Sequence, residues 1–121
     1  MAYLSDYILD NGLNALADGD VLYICSDEPT EYAECVSLAL GNKPTPTISA
    51  PFDGDPGGRS VSISGFADGD TTGTGNAVWW ALVDVSATRY LAGGPIDPEE
   101  AVVEAIDFTM DDITINIPDA E

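Results

Sequence analysis

Carboxylates are the side chains of this sequence that could do chemistry, and the tripeptide Asp-Gly-Asp occurs three times, each time in a segment predicted to be a loop or turn. Calcium takes about six to eight oxygen ligands, which clustered loop carboxylates can supply. The spacing differs from the EF-hand pattern, and Asp-Gly is also a favoured turn sequence. Solvated turns that hold no metal and a weak calcium site therefore both stay open. The candidate calcium ligands are Asp18, Asp20, Asp53, Asp55, Asp68 and Asp70.

Residues typical of catalysis are scarce. The sequence has no histidine, which is the usual general base near neutral pH. It also lacks a G-x-S-x-G elbow, a P-loop and a G-x-G-x-x-G motif, the usual fingerprints of acyl-transfer and nucleotide chemistry. A carboxylate pair of the glycosidase type stays open, but 22 acidic residues make any one pair uninformative. We expect a protein that is not an enzyme and needs no cofactor.

The charge of the chain limits its partners. Three basic residues, Lys43, Arg59 and Arg89, stand against 22 acidic ones, so the formal net charge is −19. A nucleic-acid binder needs a cationic face, which three scattered bases cannot form. An anionic membrane would repel the same surface. We therefore expect neither a nucleic-acid partner nor a membrane partner.

The N-terminal segment carries Asp6 and Asp10 and no basic residue, so it does not have the pattern of a secretory signal. We expect the protein to fold and assemble in a cytoplasm. Cys25 and Cys35 are the two cysteines, and they form no C-x-x-C pair. A disulfide across this short loop and two free buried thiols both stay open, and the reducing compartment favours free thiols.

The segment from Asn76 to Gly94 predicts a hairpin at the centre of the domain. Apolar residues lie on both faces of its first strand, which is typical of a strand covered on both sides. Trp79 and Trp80 are adjacent there and therefore face opposite ways. Asp84 to Thr88 supplies the turn, and Tyr90 begins a second apolar run.

Other patterns predict the surrounding elements. A helix should run from Ser5 to about Ala17 with leucines on one face, and Thr30 should cap a short helix. Strands are predicted at 21–25, 60–64, 106–110 and 113–117, with Ser60 on a solvated face. Two segments rich in glycine, proline or aspartate, 41–46 and 68–75, are predicted to be irregular. Residues 98–105 are predicted to form an extended edge strand in preference to a helical turn.

The expected fold is mainly β, a β-sandwich or squat antiparallel barrel with one N-terminal α-helix. One domain covers 1–121, with an N-terminal helical arm at 1–18 and a β-rich body at 20–121. Tyr3, Leu4 and Tyr7 of the arm are either a partner interface or part of the domain's own core. The core scaffold is expected to include Trp79, Trp80, Leu82, Ile113, Ile115 and Ile117.

Five segments follow one another in an order that is typical of one family. They are VLYICSDEPTEYAEC at 21–35, LGNK at 40–43, GRSVSI at 58–63, GNAVWWALVD at 75–84 and ITINIPDAE at 113–121. In this order the chain resembles small virion proteins of tailed phages, which carry a helix, an ICS-x-EP-T-x-Y segment, a W-A-L-V-D strand and a closing I-x-I-P-D-A strand. The stretch from Asp97 to Glu104 departs from that pattern, because it is acidic in this chain whereas neutral residues and a glycine are usual there in the family.

The resemblance implies a structural, non-catalytic role in the virion. The expected function is a capsid decoration (cement) protein that binds the major capsid protein lattice on the capsid exterior. A homotrimer at three-fold positions is the favoured oligomer. The alternatives are a tail, neck or fibre-base protein, or a β-module that binds calcium or a carbohydrate through an exposed tryptophan. The family pattern includes no catalytic motif, so no catalytic residue carries over.

Overall fold

A long β-hairpin, residues 75–102, lies at one edge of a six-stranded sheet in the structure, a computed structural model that describes residues 5–54 and 57–117. The predicted hairpin therefore forms, but not at the centre of the domain as predicted. Strands make up 51% of it and helices 17%, so the prediction of a mainly β fold is confirmed. The helices are α1 (Asp6–Asn14), a 3-10 turn (Ala15–Asp18) and α2 (Tyr32–Ser37). The strands are β1 (Val21–Cys25), β2 (Ala39–Pro44), β3 (Phe52–Asp53), β4 (Arg59–Ile63), β5 (Phe66–Thr71), β6 (Gly75–Asp84), β7 (Arg89–Val102), β8 (Phe108–Met110) and β9 (Ile113–Ile117).

The strands form two antiparallel sheets. The larger has six strands in the order β7-β6-β1-β2-β5-β8, and the smaller has three in the order β3-β4-β9. The larger sheet curls strongly into a half-barrel. Side chains of β4 and β9 pack against those of β1 and β6, so the smaller sheet covers the inner face of the larger one.

The main core lies inside the half-barrel. Trp80 and Leu82 of β6 contact Leu22 of β1 and the isoleucines of β9 there. Ser5 caps helix α1, because its Oγ accepts a hydrogen bond from the backbone N–H of Ile8 at 3.4 Å. The apolar face of α1 and of the following turn enters the same core, because Leu9, Leu13 and Leu16 are buried.

A second cluster covers the outer face of the sheet. Cys25, Ala81 and Val83 are buried there under α2, together with Cys35. Trp79 packs against this outer cluster, whereas Trp80 belongs to the inner core. The prediction that β6 is covered on both sides, with its two indoles facing opposite ways, is therefore confirmed.

Two segments predicted to be irregular are strands over most of their length. Those predictions were wrong for 41–44 and 68–71, whereas 45–46 and 72–74 are irregular. Residues 39–44 form β2, which pairs with β1 and β5, and residues 66–71 form β5. Their glycines make room for Phe108 of β8, because a Cβ on Gly41 would lie 2.9 Å from the Phe108 ring. Glycine serves close packing within a strand here, and not a turn.

The strand β4 is less solvated than predicted. Ser60 is 2% exposed, and its hydroxyl donates a hydrogen bond of 2.6 Å to Oδ1 of Asn116 on β9. The expectation that Ser60 lies on a wet face was therefore wrong, because the neighbouring strand supplies the polar partner. The predicted strand at 106–110 is shorter in the structure, since β8 begins at Phe108 and Ile106 is 62% exposed.

The last part of β7 confirms the extended edge predicted for 98–105 as far as Val102. Four residues of β7, 96–99, stand opposite the single residue Val78 of β6, because Pro95 pairs with Trp79 and Glu100 with Ala77. This bulge contains the first part of the acidic stretch, from Asp97 to Glu104, in which the sequence departs from the phage pattern. It bends β7 away from a regular ladder.

Candidate functional site

Three of the six carboxylates of the Asp-Gly-Asp tripeptides are held by other groups of the protein. Asp53 lies 2.6 Å from the guanidinium of Arg59, and Asp68 lies 3.0 Å from Nζ of Lys43. Asp20 accepts a hydrogen bond of 2.9 Å from the backbone N–H of Val85. Asp18 and Asp70 are exposed.

Asp55, the remaining candidate calcium ligand, lies outside the described residues. Within 5–54 and 57–117, no three side chains of histidine, cysteine, aspartate or glutamate come together in a way that could hold a metal ion. The tripeptide at 68–70 lies in β5 and Asp53 lies in β3, so the expectation that these carboxylates lie in loops was wrong. Asp68 and Asp70 are two residues apart in β5, so alternation places them on the same face of the strand, but Asp68 is paired with Lys43 and Asp53 belongs to the other sheet.

Arg59 joins three segments of the chain. Its Nε donates to Oδ1 of Asp10 on α1 at 2.8 Å, and Nη1 donates to Asp53 of β3 at 2.6 Å. Nη2 also donates to the carbonyl oxygen of Pro51 at 3.3 Å. The hydrogen bond to Asp10 is the main cause of the raised pKa of Arg59, and the hydrogen bond from Lys43 is the main cause of the lowered pKa of Asp68.

The two thiols are free and buried, as the sequence favoured. The Sγ of Cys25 donates to the carbonyl oxygen of Cys35 at 3.7 Å. Burial raises the pKa of Cys25 to about 12 and that of Cys35 to about 11. A thiol is a nucleophile or a metal ligand only as the thiolate, so neither side chain is activated near neutral pH.

The two indoles do not form an open aromatic platform. Trp80 is 8% exposed in the inner core. Trp79 is half-buried, and its Nε1–H donates a hydrogen bond of 2.8 Å to the hydroxyl oxygen of Tyr90. Carbohydrate modules use an exposed ring together with free polar donors, so this arrangement gives that alternative no support.

The N-terminal helix presents two apolar side chains to solvent. Tyr7 is 75% exposed and Ile8 is 52% exposed, so Tyr7 does not pack into the domain's own core. Tyr3 and Leu4 lie outside the described residues. The partner interface predicted for Tyr3, Leu4 and Tyr7 stays a prediction.

A cleft that the sequence did not predict lies where the two ends of the curled sheet approach each other. It has a volume of about 660 Å³, and β7 lines one side while β8 and the start of β9 line the other; we call it the β7–β8 cleft. Apart from two prolines and Ala101, its apolar side chains are Trp80, Ile96, Met110 and Ile113.

The rim of the β7–β8 cleft is acidic. Glu99 and Glu100 come from β7, and Asp111 and Asp112 come from the turn between β8 and β9. In the sequence the two pairs lie apart. Glu99 and Glu100 have the pattern of a helix start, whereas Asp111 and Asp112 have the pattern of a turn. Only the curl of the sheet brings them together, so no local signal identifies the cleft.

Comparison with models of protein families, with curated proteins and with solved structures gave no match for this chain. Among the residues that the structure describes, none of the helices is long and apolar enough to cross a membrane. A function must therefore be argued from the segments, charges and surfaces described above.

Proposed function

We propose that this protein is a non-catalytic structural protein of a tailed-phage virion, a decoration protein that binds the outside of the major capsid protein lattice and stabilises it. The observation that carries the proposal is the place of the resembling segments in the fold. VLYIC is β1, GNAVWWALVD is β6 and ITINI is β9, while the EPT segment leads into α2. These strands contribute to both layers of the core, so the segments that carry the resemblance are core elements of this domain and not a short surface motif.

The charge distribution supports this role. Lys43 and Arg59 are held in ion pairs with Asp68, Asp10 and Asp53, so two of the three basic residues neutralise acids of the same chain. A surface with this excess of negative charge repels packaged DNA and stays soluble. A decoration protein needs no active site, because many weak contacts repeated over a shell stabilise it through multivalency.

The exposed side chains of Tyr7 and Ile8 are the apolar surface that we assign to the lattice contact. Aromatic side chains supply much of the energy at protein interfaces, and these two lie next to each other on the solvent side of α1. Three copies arranged around an axis would present three such helices, since identical heterologous contacts close into a ring.

The test is a binding experiment with expanded capsids that lack this protein. The purified protein is expected to bind saturably and to raise the temperature at which the capsids break open. The variant Tyr7→Ser/Ile8→Ser should bind weakly, whereas Val36→Ser, which changes an apolar residue of α2 that is 47% exposed, should bind like the parent protein. Absence of saturable binding, with no gain in heat resistance, would show that the proposal is wrong.

A further inference from the structure

We propose that the β7–β8 cleft binds an extended, basic segment of a partner protein, which pairs with the outer edge of β7 as an added strand. This inference does not rest on the proposed capsid role. It follows from the unpaired edges of the sheet, from the apolar wall of the cleft and from the charge of its rim.

The first observation is that the half-barrel has two strand edges facing a common gap. The larger sheet ends at β7 on one side and at β8 on the other, and no described strand is hydrogen-bonded to the outer edge of either. An edge strand presents unpaired backbone N–H and C=O groups, which makes it a template for another strand. At 14 residues β7 is the longest strand of the described structure.

The second observation explains why the chain does not close this gap itself. The bulge at 96–99 bends β7, and Pro95 and Pro98 have no N–H to donate to a neighbouring strand. On the opposite side β8 is only three residues long. The stretch from Glu99 to Val102 contains no proline, and because it pairs with β6 on one side, its alternate residues direct their N–H and C=O groups to the open edge. A segment paired with it would be about four residues or roughly 13 Å long.

The third observation is the apolar wall. Ile96, Met110 and Ile113 are partly buried and pack on the inner core beside Trp80. An added strand points every second side chain to one face, so its alternate apolar residues would contact this wall. The volume of about 660 Å³ lies within the range of sites that bury most of a bound ligand, about 300–1,000 Å³.

The rim decides which occupant fits. The residues described along the cleft include four carboxylates and none of the three basic residues of the chain. A second copy would bring its own Glu99 and Glu100 against those of the first, and like charges on facing strands are destabilising. Lysine or arginine side chains of an added strand would instead meet the carboxylates that line the cleft, among them Glu99, Glu100 and Asp111.

A seven-residue peptide of alternating lysine and valine, blocked at both ends, is the probe that tests this inference. We expect it to bind the full chain and to protect from hydrogen exchange those backbone amides within 99–102 that do not already bond to β6, with NMR shift changes confined to β7, β8 and the start of β9. A peptide with glutamate in place of lysine should not bind.

Two variants test whether the peptide binds at the cleft or is attracted only by the negative charge of the whole surface. Glu99→Gln/Glu100→Gln/Asp111→Asn should weaken binding of the lysine peptide by about tenfold, and so should Ala101→Lys, which adds a positive charge at an exposed position of the rim. The matched control Asp18→Asn/Glu28→Gln/Glu31→Gln removes three carboxylates elsewhere and should change the affinity less than about twofold. Equal loss in the cleft and control variants, shift changes spread over the whole surface, or no binding of the peptide would overturn the inference.

Discussion

Neighbouring residues of this chain have different surroundings, and the two indoles are the clearest case. Trp80 lies in the inner core, where a Cβ on Gly94 would come within 2.8 Å of its Nε1. Trp79 lies on the outer face and donates to Tyr90. Strand alternation predicts their opposite directions, but which of them is more deeply buried depends on what covers each face.

Trp80→Ala should lower the free energy of unfolding by about 3–5 kcal/mol, because it removes a large buried side chain from the inner core. The matched control is Val85→Ala, since Val85 is 40% exposed and its change should stay within about 0.5 kcal/mol. Urea unfolding followed by circular dichroism measures both. A Trp80→Ala protein as stable as the parent would contradict the placement of this indole in the core.

The two cysteines should make the stability of the folded protein depend on pH in the alkaline range. Both thiols have a raised pKa in the folded protein, about 12 for Cys25 and about 11 for Cys35, against an ordinary value of 9.0. The unfolded chain therefore loses these protons first, so their contribution to stability is fully present below pH 9 and is lost as the pH rises towards 12. Burial also raises the pKa of Tyr23 and Tyr90, which acts in the same direction.

Thermal unfolding between pH 8 and pH 11 measures this effect. The stability of the parent protein should fall across that interval, and Cys25→Ala/Cys35→Ala should show a shallower fall. At pH 8 both thiols should react with a disulfide reagent only after denaturant is added. Rapid reaction of the native protein at pH 8 would contradict the burial of the thiols.

At the scale of elements, the sequence predicted the strands that have a clear apolar pattern and missed those that do not. The runs at 21–25, 75–84 and 113–117 carry enough apolar residues to be recognised alone, and they are β1, β6 and β9. The strands β2 and β5 carry glycine, proline and aspartate, which are typical of turns. Their extended conformation depends on neighbours, because Phe108 packs over Gly41 and Gly69 only after the sheet has formed.

The attachment of α1 to the smaller sheet gives a prediction at this scale. Arg59→Gln removes the hydrogen bonds to Asp10 of α1 and Asp53 of β3, so it should clearly lower the melting temperature. Arg89→Gln is the matched control, because Arg89 is exposed and either change takes the formal net charge from −19 to −20.

Differential scanning calorimetry at low salt measures the two variants. Arg89→Gln should shift the melting temperature by no more than about 2 °C, and added salt should reduce the difference between the variants by screening the exposed part of the interaction. Equal melting temperatures for Arg59→Gln and Arg89→Gln would mean that the Arg59 contacts do not hold α1 in place.

At the scale of the whole molecule, the sequence predicted the fold class but not the candidate site. Composition, hydrophobic alternation and turn residues were sufficient for a mainly β domain with an N-terminal helix. The β7–β8 cleft could not be predicted, because it depends on how far the larger sheet curls and on the bulge opposite Val78. Glu99 and Asp111 become neighbours only through that curvature.

The net charge also acts at this scale. Three basic residues against 22 acidic ones leave the molecule strongly anionic, and Lys43 and Arg59 are both paired with aspartates. Such a surface suits the exterior of a particle that must remain soluble and must not adhere to nucleic acid.

The location of the protein in intact virions tests the central claim most directly. Electron cryomicroscopy of particles that carry a labelled copy of the chain should show the label over the whole capsid surface, at repeating positions of the lattice with three copies around each three-fold axis. Label found only at the tail vertex, or absent from purified particles, would contradict the decoration role.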